Sequence, residues 1–429
     1  MEKVINLRFP HVGEQIFENV NTDDLIQFLE VSTTWSVLAE NVLLKRWTGR
    51  MFEACKSQKT EIVKILLERC NVEDCGLNTR HKGGWTAFMY ACAYGPKDIV
   101  QLLLDHTATN IDLTAKQDGG MTAFMLACIL GNKDSVQLLI SNPTIELNAR
   151  DNDTRGWTAF LLACCNGHTE VVEVLLSNPN IEVNVTYSIL NYTAFMLACI
   201  KGHKNTVQLL LDHSNRNIDF NATEFNGFTA FTLACHHGQK DIIQLLLDYS
   251  SKRNIEVNTR NNNQQMTAFR EACSEGHKDI VEILMNHYIP RFDLNGKDFR
   301  GWNSFMEACI HGHKDVVQIL LTQSNRFEIN GKDNEGTTAF MWACKDGRKD
   351  VVQMLLEHSN PRIEINAKAN NGSTAFIMAC ERGQKEVVKL LLESSEIDIS
   401  GYNDLPQDEI KDFIELHLIQ MLLNQNHFE

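Results

Sequence analysis

The 429-residue sequence lacks the features of a membrane or nucleic-acid-binding protein. It has no apolar run near the ~20 residues that a transmembrane helix needs. Its first residues, MEKVINLRFPHVGEQ, lack the apolar core of a signal peptide. Basic residues are outnumbered, with 40 Lys and Arg against 55 Asp and Glu, which gives a net charge of −15. Because binding to phosphates needs a basic face, we expect no nucleic-acid partner, and we expect no membrane partner either.

Sequence motifs of enzymes are missing as well. No stretch resembles a phosphate-binding loop, a nucleophile elbow, a pair of zinc knuckles or a dinucleotide-binding fingerprint. Apolar residues make up 43% of the chain and charged residues 22%, which is ordinary for a folded soluble protein. We therefore predict a protein that is not an enzyme, with no catalytic residues, no cofactor and no metal ion.

Cysteine, in contrast, is abundant, with 13 residues. An odd number in a long chain without a signal peptide favours reduced thiols, so we expect the protein in the cytoplasm or the nucleus. In the stretch GWTAFLLACCNGHTEVVEVLL, Cys164 and His168 lie four residues apart and would share one face of a helix. That spacing is found in pairs of metal ligands and in activated nucleophiles, so the pair needs an explanation.

An internal repeat provides this explanation. The heptamer TAFMYAC begins at Thr86 and returns eight times at intervals of 35–38 residues, and a shorter copy, MFEAC, begins at Met51. Every full copy keeps the cysteine, but only four copies have a histidine four residues later. A reactive site would need both partners, so we predict that these cysteines are small buried residues at helix contacts. They are Cys92, Cys128, Cys164, Cys199, Cys235, Cys273, Cys309, Cys344 and Cys380.

Each repeat has the pattern of a helix, a turn, a second helix and a loop. In the copy that begins at Thr193, this threonine can cap the first helix and Gly202 can end it in a left-handed conformation. Val207 and Leu210 belong to the apolar face of the second helix. The Asn- and Gly-rich segment that follows predicts a β-hairpin. A single unit cannot bury its apolar face, so we expect about ten units over residues 51–400 to stack around one core.

These residues resemble ankyrin repeats, whose pattern is Thr-Pro-Leu-His-x-Ala-Ala, then Gly-His, Val-Val-x-Leu-Leu-Leu and a closing Asp-Val-Asn. The threonine, alanine, glycine, leucine triplet and closing asparagine are in place, whereas Ala87 and its equivalents replace the proline. The resemblance implies a mainly α-helical solenoid that holds a protein target on its concave surface. It also implies that an asparaginyl hydroxylase could modify the closing asparagines, although these side chains can equally bond neighbouring backbone. They include Asn148, Asn184, Asn221, Asn258 and Asn366.

The non-repeating residues 1–50 resemble an F-box, the three-helix module that docks on the Skp adaptor of cullin–RING ubiquitin ligases. The alternative is that these helices only cap the first repeat, and residues 401–429 predict a helical cap at the other end. The stretch LLKRWTGR runs into the repeats without a Pro-, Ser- or Gly-rich linker, so we expect a rigid junction. The F-box resemblance implies that the adaptor is bound by Pro10, Ile16, Phe17, Leu25, Val31 and Trp35.

The position just before each capping threonine predicts where a target would bind. It lies at the base of the hairpin, and in seven consecutive repeats it carries a large apolar or aromatic side chain. Such a run would form one exposed ridge, as protein-binding surfaces do, unless the side chains pack on the next hairpin instead. The residues of this predicted ridge are Trp85, Met121, Trp157, Tyr192, Phe228, Met266 and Trp302.

The sequence therefore predicts a monomeric, non-enzymatic protein that works by binding other proteins. In the leading hypothesis it is the substrate-recognition subunit of a cullin–RING ubiquitin ligase. Its N-terminal helices would then bind the Skp adaptor, and through it the cullin, while the repeats hold the target. In the alternative hypothesis it is an ankyrin scaffold or a competitive inhibitor, and its first helices are only a cap.

Overall fold

The chain forms two compact units, Met1–Asp219 (unit 1) and Phe220–Glu429 (unit 2). Pro10 and Ile16, two of the predicted adaptor-binding residues, lie outside the described residues. Among the described helices, none is long and apolar enough to cross a membrane. The computed structural model describes residues 17–31, 33–69, 76–106, 111–152, 156–213, 215–262, 266–286, 294–358, 362–394, 396–405 and 408–425.

In the described part of unit 1, an N-terminal helix pair, Thr22–Phe28 and Thr33–Trp47, precedes five repeats. The first helix of each repeat packs against the first helix of the next, and the second helices stack in the same way. A short 3-10 helix spans Lys82–Gly84. The first helices are Met51–Lys56, Ala87–Tyr94, Ala123–Ile129, Ala159–Cys165 and Ala194–Ile200. The second helices are Thr60–Arg69, Lys97–Asp105, Lys133–Leu139, Thr169–Ser177 and Lys204–Asp212.

Unit 2 contains five repeats of the same kind and a C-terminal helix, Asp408–Gln425. Its first and second helices form two stacked rows, as in unit 1. Short 3-10 helices span Ser324–Arg326 and Tyr402–Asp404. The first helices are Ala230–His236, Ala268–Ser274, Ser304–His311, Ala339–Lys345 and Ala375–Glu381. The second helices are Lys240–Arg253, Lys278–Asn286, Lys314–Thr322, Lys349–Glu357 and Lys385–Leu392.

The predicted helix signals have the expected geometry. The Thr193 hydroxyl accepts a hydrogen bond from the Met196 backbone N–H at 3.2 Å, and a threonine caps the first helices of the other full copies in the same way, except that Asn303 does so in one. Gly202 ends its helix with a φ of +74°. At the equivalent position of another repeat, Gly131 is also required by lack of space, because a Cβ atom there would lie 2.6 Å from the Nδ1 of His168 in the next repeat.

That close histidine joins neighbouring repeats. His168 Nε2 lies 2.8 Å from the carbonyl oxygen of Ile129, at the end of the preceding first helix. In three of the repeats where another residue replaces the histidine, its side chain makes an equivalent bond, as Arg348 Nε does with Ile310 O at 2.7 Å. An imidazole is therefore only one way to supply this donor, and the repeat with Pro96 has no side-chain donor at this position. Comparable bonds come from Asn132, His203, His277, His313 and Gln384.

The predicted packing role of the repeated cysteines is confirmed. All nine are buried and none is in a disulfide. Burial raises the pKa of each thiol, to about 12 for Cys380. Because the thiolate is the reactive form, these cysteines are poor nucleophiles and poor metal ligands. The Cys164 and His168 pair is thus a core residue next to a residue that joins two repeats.

The predicted β-hairpins need a correction. Within the described residues one two-stranded ladder forms, where Thr186–Tyr187 pairs antiparallel with Tyr192–Thr193. Lys116 and Thr122 form an isolated bridge, as do Lys332 and Thr338. Most other loops are tight turns closed by side chains, because an acidic or amide group accepts the turn N–H groups that a strand would otherwise pair. At one such turn, an Asp298 carboxylate oxygen accepts the N–H groups of Arg300 and Trp302, both at 2.8 Å.

The N-terminal helix pair packs as an extension of the repeats. Helix Thr33–Trp47 contacts Thr60–Arg69 in the way that each second helix contacts the next. Phe17 and Leu25 are buried, and the Phe17 ring contacts Phe28 and Trp35 at centroid distances of 5.1 and 5.3 Å. The prediction that Phe17 and Leu25 bind an adaptor is therefore corrected, because both side chains are buried in the N-terminal helix pair and are not accessible to a partner.

The C-terminal helix covers the last repeat, as predicted. It packs against helix Lys385–Leu392, and Ile410 and Ile414 are buried at this contact. Lys385 forms a salt bridge with Glu409 at 2.5 Å. Apolar burial by two isoleucines in the first half of the helix is what a capping element requires.

Candidate protein-binding surfaces

The predicted ridge is only partly exposed. Six of its seven residues are half-buried, whereas Met266 is 5% exposed. The ridge prediction is therefore corrected at Met266, whose flexible apolar side chain gains more from burial than from contact with water. Trp85, Met121, Trp157 and Tyr192 lie in unit 1, and Phe228 and Trp302 lie in unit 2.

In unit 1, Trp85 belongs to a cluster of five rings that the ridge alone does not reveal. We call Phe52, His81, Trp85, Tyr90 and Tyr94 the aromatic cluster. Phe52 stacks on His81 at a centroid distance of 3.9 Å and meets Tyr90 edge-on at 5.4 Å. Trp85 stacks on Tyr94 at 6.1 Å, and Tyr94 is 50% exposed. The cluster combines a packed interior with an aromatic surface, which is the usual composition of a protein-binding hot spot.

Two further apolar groups of unit 1 are accessible. Trp157 packs on Tyr187 of the β-hairpin at a centroid distance of 4.0 Å. At the tip of this hairpin Ile189 is strongly exposed, and Leu130 is exposed at the end of the first helix Ala123–Ile129. The ridge residue Trp157 therefore does pack on the following hairpin, as the alternative interpretation of the ridge proposed.

Unit 2 carries charge where unit 1 is apolar. Arg270, Asp298 and Glu307 are almost completely buried, and we call them, with Arg300 and His311, the charge cluster. Arg270 Nη2 lies 2.7 Å from Glu307 and 3.2 Å from Asp298. Its Nε and Nη1 atoms have no partner in the described part of the chain. Arg270 occupies a position that is methionine in several other repeats, so this triad replaces ordinary apolar packing.

The pKa values follow from these contacts. Burial alone would raise the pKa of Glu307, but the nearby His311 imidazole and the Arg270 guanidinium outweigh it and lower the pKa. In the same way, the Trp302 N–H and the two guanidinium groups overcome the effect of burial and lower the pKa of Asp298. The carboxylate of Glu307, 3.7 Å away, raises the pKa of His311. The carboxylates of the charge cluster are therefore ionised at neutral pH.

Next to the charge cluster, Asp333 orients two tryptophans. Its Oδ2 atom accepts the indole N–H groups of Trp302 at 3.2 Å and Trp342 at 2.9 Å, and the rings meet edge-on at a centroid distance of 4.9 Å. Arg300 lies 3.6 Å from the Trp302 ring and Lys345 lies 4.1 Å from the Trp342 ring. The ridge residue Trp302 is thus held by charged neighbours, and its half-buried ring already has a cation on its face.

A third polar group lies between two first helices of unit 2. His236 Nδ1 lies 3.0 Å from an oxygen of Glu271 and 3.7 Å from an oxygen of Glu275. The hydrogen bond with Glu271 raises the pKa of His236. Sequence reasoning missed this group because its ligand-type residues come from different repeats. The sequence did contain a signal for this group. Glu271 and Glu275 are four residues apart, and the earlier repeats have Leu or Tyr at the position of Glu271.

The closing asparagines named as possible hydroxylation sites have a structural role. The Asn148 amide donates to Asn180 O at 2.7 Å and its oxygen accepts the Glu182 N–H at 3.0 Å, so one side chain holds the loop of the next repeat. Asn184, Asn221 and Asn366 make the same two bonds. Hydroxylation of these asparagines and of Asn258 stays a prediction, whereas the bonds to neighbouring backbone are present.

Comparisons with known proteins place the chain in a family. The family model described as ankyrin repeats (3 copies) matches residues 19–117, 107–187, 182–261, 251–333 and 324–403. A search of curated proteins gave no match. The first matched segment includes the N-terminal helix pair, and together the segments cover most of the chain. The chain therefore belongs to the ankyrin-repeat family.

Proposed function

We propose that this protein binds a protein target through the aromatic cluster of unit 1. Ankyrin repeats indicate a protein-binding role in general. The observation that favours this particular surface is the packed group of five rings that ends in the half-exposed Tyr94. Tyrosine and tryptophan dominate binding energy at protein interfaces because they bury much area with little loss of conformational freedom.

The apolar groups next to the cluster extend this surface. Leu130 is exposed in the neighbouring repeat, and Trp157 and Tyr192 continue the row of large side chains. In unit 2 the ridge residue Trp302 already has Arg300 on its ring face and Asp333 on its indole N–H. We therefore assign the main contact to unit 1 and keep Phe228 and Trp302 as secondary contacts. We further propose that the protein acts as a monomer in the cytoplasm or the nucleus.

Affinity capture from a host-cell extract tests the assignment. The double variant Trp85→Ala, Tyr94→Ala is compared with the wild type and with a matched unit 2 variant, Trp342→Ala. We expect the unit 1 variant to lose proteins that the wild type and the unit 2 variant both retain. Retention of the same proteins by the unit 1 variant, with a normal denaturation curve, would contradict the proposal.

A second candidate function is the recognition subunit of a cullin–RING ubiquitin ligase. The observation that favours it is apolar exposure in the N-terminal helix pair, because Val31 in the turn after the first helix is 63% exposed and Val37 on the second helix is 54% exposed. A cap needs one apolar face, towards the repeats, whereas adaptor docking needs a second one. In the alternative, the chain is a scaffold or a competitive inhibitor and these helices only cap the repeats.

The variant Val31→Asp, Val37→Asp separates these two hypotheses. If the helices dock on a Skp adaptor, the variant should lose adaptor and cullin from the captured proteins while its melting temperature stays within a few degrees of the wild type. If the helices only cap the repeats, the wild type itself should capture neither adaptor nor cullin.

A further inference from the structure

One polar cluster of unit 2 has the composition of a metal site. His236 is the last residue of the first helix Ala230–His236, and Glu271 lies in the next first helix, Ala268–Ser274. Glu275 follows one helical turn after Glu271. Because residues four apart on a helix share a face, both carboxylates point at the imidazole of the neighbouring repeat. The stacking of two repeats thus brings three ligand-type side chains together.

The distances fit a single small cation. The Nδ1 atom of His236 lies 3.0 and 3.7 Å from the nearest oxygens of the two glutamates. One ligand atom from each residue can be chosen so that all three lie within 4.8 Å of one another. In a tetrahedral Zn²⁺ site with bonds of ~2.0 Å, ligand atoms are about 3.3 Å apart. Small side-chain rotations would therefore bring the three atoms to coordination distance.

The charge of the cluster also favours a cation. Glu271 is 5% exposed, and in the described part of the chain the ion pairs of Glu271 and Glu275 are with His236 alone. Glu307, at the position equivalent to Glu271 in the next repeat, instead has Arg270 at 2.7 Å. A buried carboxylate without a fixed positive partner is unfavourable. A divalent ion would neutralise both carboxylates at once.

We propose that His236, Glu271 and Glu275 bind one divalent transition-metal ion, of the Zn²⁺ type, between two repeats of unit 2. An imidazole with two carboxylates is a donor set that suits Zn²⁺ and other first-row ions better than Ca²⁺ or Mg²⁺. The side chains of His236 and Glu275 are about two-fifths exposed, so the ion can enter from solvent. Three protein ligands leave a further position for water or for a side chain of a bound protein.

Zinc titration of the full-length protein tests this site. After dialysis against a chelator, ZnCl₂ is titrated by isothermal calorimetry into the wild type and into the variants His236→Ala and Glu275→Gln. We expect one equivalent bound by the wild type and affinities at least about tenfold weaker in both variants. Glu275→Gln changes a partly exposed side chain, so it keeps the test valid if His236→Ala unfolds the repeat.

His311→Ala is the control, because His311 ends the first helix Ser304–His311 and lies 3.7 Å from Glu307, a glutamate that already has Arg270 as partner. It should bind zinc as the wild type does. Substitution of Co²⁺ should give a spectrum without a thiolate charge-transfer band, which excludes binding by the cysteines. No zinc binding by the wild type, equal affinity in all variants, or a thiolate band would each overturn the proposal.

Discussion

The two compact units are built from one repeat but differ in the side chains at one buried position of the first helix. The fifth residue of the capping motif is Leu126, Leu162 and Leu197 in three repeats of unit 1, whereas two repeats of unit 2 carry Glu271 and Glu307 there, equally buried. The core positions next to them, such as the repeated cysteine, are the same in both units. The difference teaches that stacking fixes some buried positions of a repeat, such as the cysteine, whereas another buried position accepts a charge when the preceding repeat supplies its partner.

The largest expected effect concerns the charge cluster of unit 2. Arg270→Met should lower the free energy of unfolding by about 3–5 kcal/mol, because it leaves the buried Asp298 and Glu307 with only the partly exposed Arg300 and His311. The double variant Arg270→Met, Glu307→Leu recreates the apolar pattern of unit 1. It should recover to within about 2 kcal/mol of the wild type, since well-packed apolar residues can replace a buried ion pair. Urea denaturation measures both.

A conservative change in unit 1, Met196→Leu, serves as the control and should cost less than about 1.5 kcal/mol. If Arg270→Met unfolds like the wild type, the charge cluster is not a coupled network. The two units would then differ in side-chain identity at these positions but not in how these side chains contribute to stability.

The second prediction compares two tryptophans of the ridge. Trp157→Ala in unit 1 should weaken target binding by about 2 kcal/mol and affect unfolding less. Trp302→Ala in unit 2 should do the reverse and destabilise by roughly 2 kcal/mol, because Asp333 loses a buried donor and Arg300 loses the ring beneath it. A measured affinity and a denaturation curve for each variant decide the matter. Equal losses of binding and stability in Trp157→Ala would mean that this residue is core.

The third prediction concerns the glycines that end the first helices. Gly167→Ala should destabilise by about 2–3 kcal/mol, because alanine is strained at its φ of +72° and its Cβ would lie 2.5 Å from His203, whose bond to Cys165 O would be lost. Gly383 in unit 2 has a similar φ, but nothing lies within 4 Å of a Cβ placed there. Gly383→Ala should therefore cost only the strain, about 1–2 kcal/mol. Equal melting temperatures of the two variants would contradict the role of the histidine contact.

The smallest expected effect is one in which the units should agree. Cys199→Ala and Cys235→Ala each remove one buried sulfur atom from the same repeat position, and each should cost on the order of 1 kcal/mol. Both wild-type thiols should react slowly with a thiol reagent, because burial raises their pKa. A large difference between the two variants would show that the cores of the units are not equivalent.

Much of the local structure could be predicted from the sequence. Thr193 and Gly202 mark the ends of a helix through local backbone chemistry, and the repeat of TAFMYAC shows which cysteines share a buried position. The ridge was predicted less well. Met266 has the same place in the motif as Trp157, but whether a side chain at the hairpin base is buried depends on the neighbouring loop, which the motif does not describe.

The sequence by itself determined the repeat, its helix caps and its buried cysteines, because each depends on residues that are close along the chain or on a strict period. Only the tertiary structure decided which polar groups meet. The partner of His168 is a carbonyl 39 residues earlier, and the partner of Arg270 is Glu307, 37 residues later. The physical reason is that stacking brings side chains of one repeat into contact with the helices of the next. Side chains that look isolated in the sequence become hydrogen-bond partners, ion pairs or shared ligands in the fold.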